Sequence, residues 1–148
     1  MISQTAEYAL RAIVYLANQE GRARTTAQIA EATHVPSGYL AKVMQGLTRA
    51  KLVHSQRGLN GGFTLGDKSE NLTVLAIVNA VDPIQRYAEC PLGVKEHGRQ
   101  LCPLHRRLDE AAEMVEKSFA ETTVAELTTV PRQKKSLCRF PMEAKALS

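Results

Sequence analysis

The sequence lacks long apolar runs. Within its 148 residues the longest apolar windows, such as Val74–Val81, fall well short of the roughly 20 residues that a membrane-spanning helix needs. Its N-terminus lacks the basic stretch and apolar core of a secretory signal. Cysteine is scarce, with Cys90, Cys102 and Cys138 present. An odd cysteine count without a signal indicates a cytoplasmic protein without a disulfide scaffold.

Signatures of catalysis are also missing from the sequence. It contains no nucleophile motif, no glycine loop of the kind that cradles phosphate and no clustered pair of carboxylates. The Gly61-Gly62 pair follows the pattern of a hairpin and not of a nucleotide-binding strand. The sequence therefore predicts a binding protein rather than an enzyme.

Acidic residues are few at both ends of the chain. Residues 1–66 carry seven basic and three acidic side chains, whereas residues 67–130 carry seven basic and eleven acidic ones. Residues 131–148 carry five basic and one acidic side chain. We therefore expect the N-terminal part to bind a polyanion and the acidic middle to have another role. The alternative is that the surface charge is uneven by chance.

Three helices are predicted in the N-terminal half. Apolar residues at three- and four-residue spacing predict the first helix over residues 3–18. Thr25 and Ser37 are the expected N-caps of two further helices, at about 25–34 and 37–50. Two helices joined by about three residues are typical of a helix-turn-helix, which the first helix must cover because the pair cannot bury its own core.

A β-hairpin is predicted directly after the third helix. Two short apolar runs, 52–55 and 63–65, flank a turn rich in glycine. Gly61 and Gly62 are expected to supply positive φ in that turn. A hairpin in this position is the wing of a winged helix, and a further helix follows over Val74–Val81.

The second half of the chain predicts a loop and a long helix. Residues 83–103 show no periodicity, and the apolar residues that follow form one seam over about four turns. That seam favours pairing with a second copy in a symmetric dimer, the alternative being packing on its own domain. The residues of the seam are Leu104, Leu108, Ala111, Val115 and Phe119.

The predicted fold is mainly α with a small β-hairpin wing, a winged helix-turn-helix with a long dimerisation helix. A short last helix is expected over residues 123–127, near the end of that architecture. The expected parts are a DNA-binding domain over 1–82, a cysteine-containing sensor loop over 83–103, a dimerisation helix and short terminal helix over 104–130, and a basic, flexible tail over 131–148.

A winged helix binds duplex DNA by placing its third helix in the major groove and its wing on the phosphates or in the minor groove. Residues 22–57 suit this role, with six basic side chains against one acidic, although helix-turn-helix shapes also serve protein contacts. The expected DNA-contacting residues are Thr26, Gln28, Ser37, Tyr39, Lys42, Arg57, Asn60 and Gly61.

The loop holds candidate metal ligands. Eleven residues separate Cys90 from Cys102, with His97 between them and His105 three residues after Cys102. Cysteine and histidine bind both zinc and iron–sulfur clusters, but this spacing is not that of a zinc finger. A buried apolar role for the cysteines is the alternative.

Several segments resemble the Rrf2 family of bacterial transcription regulators, which includes the NsrR- and IscR-type iron–sulfur regulators. They are the segment Glu7-Tyr8-Ala9-Leu10-Arg11-Ala12, the segment Pro36-Ser37-Gly38-Tyr39-Leu40, the wing Arg57-Gly-Leu-Asn-Gly-Gly-Phe-Thr-Leu65 and the helix end Val78-Asn-Ala-Val-Asp82. The resemblance covers about residues 1–130 and implies a homodimeric repressor or activator on a near-palindromic operator.

The resemblance also implies an iron–sulfur cluster whose state sets DNA affinity. Cys90 and Cys102 match the first and last of three cysteine ligands in many members, and His105 matches a histidine ligand in some. The middle cysteine is absent, since Glu96-His97 stands there.

A mixed site for a two-iron cluster is therefore expected, completed by Glu7 from the first helix of a second copy or by His97. Cys138 lies outside the pattern. The alternatives are a metal-free regulator that senses through thiol oxidation or a small ligand, and a winged helix that binds protein.

Overall fold

The computed structural model describes residues 2–66, 69–97 and 99–129, so the basic tail and Cys138 lie outside the described residues. Its helices are α1 Gln4–Ala17, α2 Thr26–Thr33, α3 Ser37–Arg49, α4 Val74–Val81, α5 Pro103–Glu121 and α6 Val124–Thr128. Strands β1 Val53–Gln56 and β2 Gly62–Leu65 form an antiparallel hairpin. The predicted mainly helical fold with a two-stranded wing is confirmed. Within the described ranges, none of the helices has the length and apolarity to cross a membrane.

Side-chain caps begin two of the first three helices. Ser3 Oγ accepts a hydrogen bond from the Ala6 amide at 3.1 Å and starts α1. Thr25 is the N-cap of α2, as the sequence predicted, and it forms a complete capping box with Gln28. At α3 the predicted cap was wrong, because Ser37 is already helical and Pro36 occupies the cap position. Proline has a fixed φ near the value required there, and its carbonyl accepts from the Leu40 amide at 3.0 Å.

The helix-turn-helix packs on α1 through one apolar core. Side chains from the first three helices meet in it and are fully or almost fully buried, and Val53 of β1 joins them. The last short helix returns to this core through Val124, whose amide donates to the Leu72 carbonyl at 2.8 Å. The largest fully buried side chains of α1 to α3 are Ile13, Ile29, Leu40, Met44 and Leu47.

The wing, residues 53–65, is tied to the body by a third short segment of backbone. Val53 pairs with Leu65 and Gln56 with Gly62 along the hairpin. Arg24, just before α2, exchanges two backbone hydrogen bonds with Phe63, at 3.0 and 2.7 Å. These bonds fix the wing relative to the helix-turn-helix.

The glycines of the wing have different roles from those predicted. Positive φ occurs at Gly58 (+111°) and Gly62 (+142°), so the expectation for Gly62 is confirmed and that for Gly61 was wrong. Gly61 is required for space, because a Cβ there would lie 2.7 Å from the Gln56 carbonyl oxygen and 2.9 Å from that of Gly58.

The apolar seam of helix α5 differs in burial along its length. Near the C-terminal end, Phe119 packs against the cluster formed by Ala6, Val74 and Val78 of its own chain. Leu104 and Met114 are 62% and 67% exposed, and Leu108 is also exposed, whereas Val115 is half-buried. The C-terminal end of the helix is therefore anchored to the body, while Leu104, Leu108 and Met114 lie at the surface.

Candidate DNA-binding surface and metal centre

The first two turns of α3 present a polar surface. Leu40, Val43 and Met44 are buried on one side of the helix. The predicted contacts Ser37, Tyr39 and Lys42 lie on the exposed side, with Tyr39 62% exposed. This face is a candidate for the major groove.

At the start of α2, fewer polar groups are free to bind DNA than the sequence suggested. The Gln28 amide donates to Thr25 Oγ1 at 3.2 Å, and Gln28 Oε1 accepts from the Thr25 amide at 3.0 Å. Both groups therefore serve the capping box. Thr26, at the first helical position and half-buried, is left as the better candidate for a phosphate contact through its backbone amide.

The tip of the wing projects into solvent. Arg57, Leu59 and Asn60 are exposed, whereas Gly61 is half-buried in the turn. Because the Arg24–Phe63 hydrogen bonds hold strand β2 close to this turn, Arg57 is carried on a fixed support. An arginine so placed suits the minor groove.

Two thiols and an imidazole converge where the loop after α4 meets the start of α5. Cys102 occupies the N-cap position of α5 and His105 lies in its first turn, while Cys90 comes from the loop. Their ligand atoms all lie within 4.8 Å of one another. His105 Nδ1 is 3.1 Å from Cys102 Sγ and 3.8 Å from Cys90 Sγ. The structure thus joins three side chains that the sequence had marked as ligands.

The Cys102 sulfur is activated by its neighbour. The nearby backbone N–H of His105, and then its imidazole, stabilise the thiolate and lower the pKa of the thiol from 9.0 to about 7. The thiolate is the form that binds metal and the form that attacks oxidants. Cys102 is therefore poised for either chemistry near neutral pH.

The donor set fits a thiophilic metal. Two thiolates and an imidazole are ligands that both zinc and iron–sulfur clusters accept, and the three donors already face one another. They make three of the four ligands that such a group takes. Glu7 of the same chain instead accepts a hydrogen bond from Arg11 Nε at 2.7 Å, and the His97 side chain lies outside what the structure describes. A fourth ligand from a second copy stays a prediction.

Sequence reasoning missed the residues that hold the loop against α5. Arg86 Nε and Nη2 bind the two oxygens of Asp109 at 2.7 and 2.9 Å, and its Nη1 binds Glu116 at 2.7 Å. Asp109 Oδ1 also accepts from the Tyr87 amide at 2.9 Å, and the Tyr87 ring lies 5.1 Å from that of His105. This Arg86 clamp, formed by Arg86, Asp109 and Glu116, brings the loop to the candidate ligands.

The clamp persists over a wide pH range. The Arg86 hydrogen bonds, and then the Tyr87 amide, lower the pKa of Asp109 from 3.8 to about 2. Because the folded value lies below the unfolded one, the contribution of Asp109 is complete above about pH 4 and declines as the pH falls towards 2. The acidic side chains at 109, 113 and 116 share a helical spacing, which is the one sequence signal that could have indicated a basic partner.

Replacing Arg86 by methionine should loosen the metal centre without unfolding the chain. Cys90 then lacks the constraint that keeps it beside His105, so Zn²⁺ affinity should fall about 10–100-fold, the usual effect of removing a supporting contact. Competition with a chromophoric chelator measures that affinity. Arg107→Met is the matched control, because Arg107 forms a surface pair with Glu110 on the same helix. An Arg86→Met affinity within twofold of the wild type would show that the clamp has no part in the site.

The chain matches known transcription regulators in sequence and in fold. The sequence model of the Rrf2 family, described as iron-dependent transcriptional regulators, matches residues 2–129. A protein of Aquifex aeolicus (strain VF5) described as an HTH-type transcriptional regulator is 29% identical over 133 residues, which is 88% of this chain and 92% of that protein.

Two solved structures share the fold of this chain. The global cysteine regulator CymR of B. subtilis is 26% identical with a TM-score of 0.69, over 86% of this chain and 95% of that one. IscR of T. potens is 21% identical with a TM-score of 0.68, over 86% and 85% of the two chains.

Proposed function

The chain belongs to the Rrf2 family and is a DNA-binding transcriptional regulator, not an enzyme, and from this premise we propose that it is a homodimeric repressor controlled at Cys90, Cys102 and His105. The chemical state of these three side chains sets its affinity for a near-palindromic operator. The observation that carries the proposal is the meeting of two thiols and an imidazole at the start of α5, a helix whose other end packs on the DNA-binding body.

Exposed apolar residues support pairing through α5. Leu104, Leu108 and Met114 lie at the surface, where a second copy of the helix would bury them. A twofold dimer places two recognition helices about 34 Å apart, one turn of DNA, which requires a near-palindromic target. A dimer bound across a promoter excludes polymerase from the same DNA, which is the basis for proposing repression.

The chain's own residues would hold an iron–sulfur cluster of the two-iron type. Cys90 and Cys102 supply thiolates and His105 an imidazole, while the Arg86 clamp keeps the loop in place. Glu7 of a second copy is the proposed fourth ligand. When bound, the cluster would make the loop respond to iron supply or to oxidants.

A thiol switch without metal is the second candidate. The lowered pKa of Cys102 favours it, because a larger thiolate fraction at neutral pH reacts faster with an oxidant. Cys90 belongs to the same group of facing donors. Hydrogen peroxide would take two electrons and two protons from the two thiols, which leaves a disulfide and two molecules of water.

Replacing Arg57 by alanine tests the DNA interface. We expect weaker binding to duplex DNA and a plot of log affinity against log salt that is flatter by about one unit, because one positive charge is removed from the DNA interface. Fluorescence anisotropy over a salt series measures both, on an operator obtained by selection from random duplexes. Lys117→Ala, which removes one exposed charge from α5, is the control. Wild-type protein without salt-sensitive duplex binding in any state would contradict the proposal.

A further inference from the structure

Arg11 of α1 contacts two residues of its own helix and the end of α2. Its Nε donates to Glu7 Oε1 at 2.7 Å, and its Nη1 donates to the Thr33 carbonyl at 3.2 Å. Its guanidinium carbon lies 5.6 Å from the centre of the Tyr8 ring. One side chain thus joins two residues of α1, Glu7 and Tyr8, to the last residue of α2.

The Tyr8 ring in turn contacts the recognition helix. Its centre is 6.3 Å from that of Tyr39, with the planes at 63°, an edge-to-face contact. Tyr8 is buried, whereas Tyr39 is 62% exposed in the first turn of α3. The inner ring is therefore fixed, and the outer one is free to meet a partner.

We propose that Arg11 is a positioning residue for DNA recognition, which holds Tyr39 in place through Tyr8 and the turn between α2 and α3. The inference rests on the proposed DNA-binding role of α3. Arg11 lies in α1 and not on the surface proposed to contact DNA. Under this proposal, sequence-specific binding nevertheless depends on it.

Arg11 also acts on α3 through the turn between α2 and α3. Thr33 ends α2, and His34 follows with φ +55°, a left-handed conformation that a non-glycine residue adopts at a cost. A cation that binds the last carbonyl of a helix stabilises that end. Loss of Arg11 therefore loosens the turn that orients α3, besides removing the cation from the Tyr8 ring.

The environment of Arg11 also distinguishes a positioning role from direct contact with DNA phosphates. The Arg11 side chain is about one-third exposed, at 37%, and is paired with Glu7. A guanidinium used in this way adds no phosphate contact, so its removal should leave the salt dependence unchanged. Lysine cannot make the planar set of contacts to a carboxylate, a carbonyl and a ring, so Arg11→Lys should behave like Arg11→Met.

A double-mutant cycle on the full chain tests the inference, with affinities for the selected operator and for an unrelated duplex. Arg11→Met should weaken operator binding about tenfold, leave unrelated-duplex binding and the salt slope unchanged, and add little to the loss caused by Tyr39→Ala. Tyr8→Leu keeps an apolar side chain in the core and should reproduce the pattern if Arg11→Met fails to fold. Arg107→Met should bind as the wild type does.

Three results would overturn the inference. A salt slope lower by about one in Arg11→Met would mean that Arg11 contacts phosphate directly. Full additivity of Arg11→Met and Tyr39→Ala would mean that the two act independently. Unchanged operator binding in Arg11→Met and Tyr8→Leu would remove the role altogether while leaving the proposed function intact. Wild-type protein that fails to bind any duplex would instead reject the proposed function, and the inference with it.

Discussion

Alanine at Gly62 should lower the free energy of unfolding by about 3 kcal/mol, because it combines a disfavoured φ with a clash against backbone. The residue has φ +142°. A Cβ there would lie 2.5 Å from both the carbonyl carbon and the oxygen of Arg24, and 2.9 Å from the Thr25 amide nitrogen. Those atoms cannot withdraw without breaking the Arg24–Phe63 hydrogen bonds that anchor the wing.

Gly21→Ala is the matched control for this effect. Gly21 also has positive φ, +77°, but a Cβ there would meet no described atom within 4 Å. Conformational strain alone should cost about 1 kcal/mol at that position. Chemical denaturation measures both losses, and hydrogen exchange should show faster exchange of the Arg24 and Phe63 amides in Gly62→Ala. Equal losses in the two variants would mean that the close approach of the wing to Arg24 is not important for stability.

Cys102→Ala should abolish metal binding at the centre. The substitution removes the sulfur that lies 3.1 Å from His105 Nδ1 and is the thiol with the lowered pKa. After anaerobic reconstitution with iron and sulfide, the wild type should show visible charge-transfer absorption, and both Cys102→Ala and Cys90→Ala should be colourless. Cys138→Ala is the control, since the tail cysteine is not among the proposed ligands.

Colour in Cys102→Ala equal to that of the wild type would contradict the ligand assignment. A colourless wild type would contradict the cluster and leave the thiol switch. In that case peroxide should change the DNA affinity of the wild type. Cys90→Ala and Cys102→Ala should each lose this response. Peroxide without effect on the colourless wild type would exclude thiol control as well.

The sequence predicts those parts of the fold that are specified by residues close together in the chain. The capping box of Thr25 and Gln28 and the apolar spacing in the first helices are contained within a few residues. The wing was equally clear, because glycines between two short strands specify a hairpin. Geometry that arises only from contacts in the folded chain was less accurate, as at Gly61, where the requirement is space beside the carbonyl oxygens of Gln56 and Gly58.

The candidate site shows the same limit. Cys90, Cys102 and His105 were visible as residue types, but the Arg86 clamp joins residues 23 and 30 positions apart and follows only from tertiary packing. The same is true of Arg11, whose bond to the Thr33 carbonyl spans 22 positions. The burial of Phe119 could not be predicted either, because it packs against Ala6 of α1 and Val74 and Val78 of α4 in the same chain.

The most direct test of the account compares operator affinity in two states of one protein. Anaerobically reconstituted chain and the same chain stripped of metal by a chelator are titrated with the selected operator at one fixed salt concentration. Coupling between the Cys90–Cys102–His105 centre and the DNA-binding surface predicts affinities that differ about 5–150-fold, and Cys102→Ala should bind alike after either treatment. Equal affinities for the loaded and stripped wild type would contradict control of DNA binding by this centre.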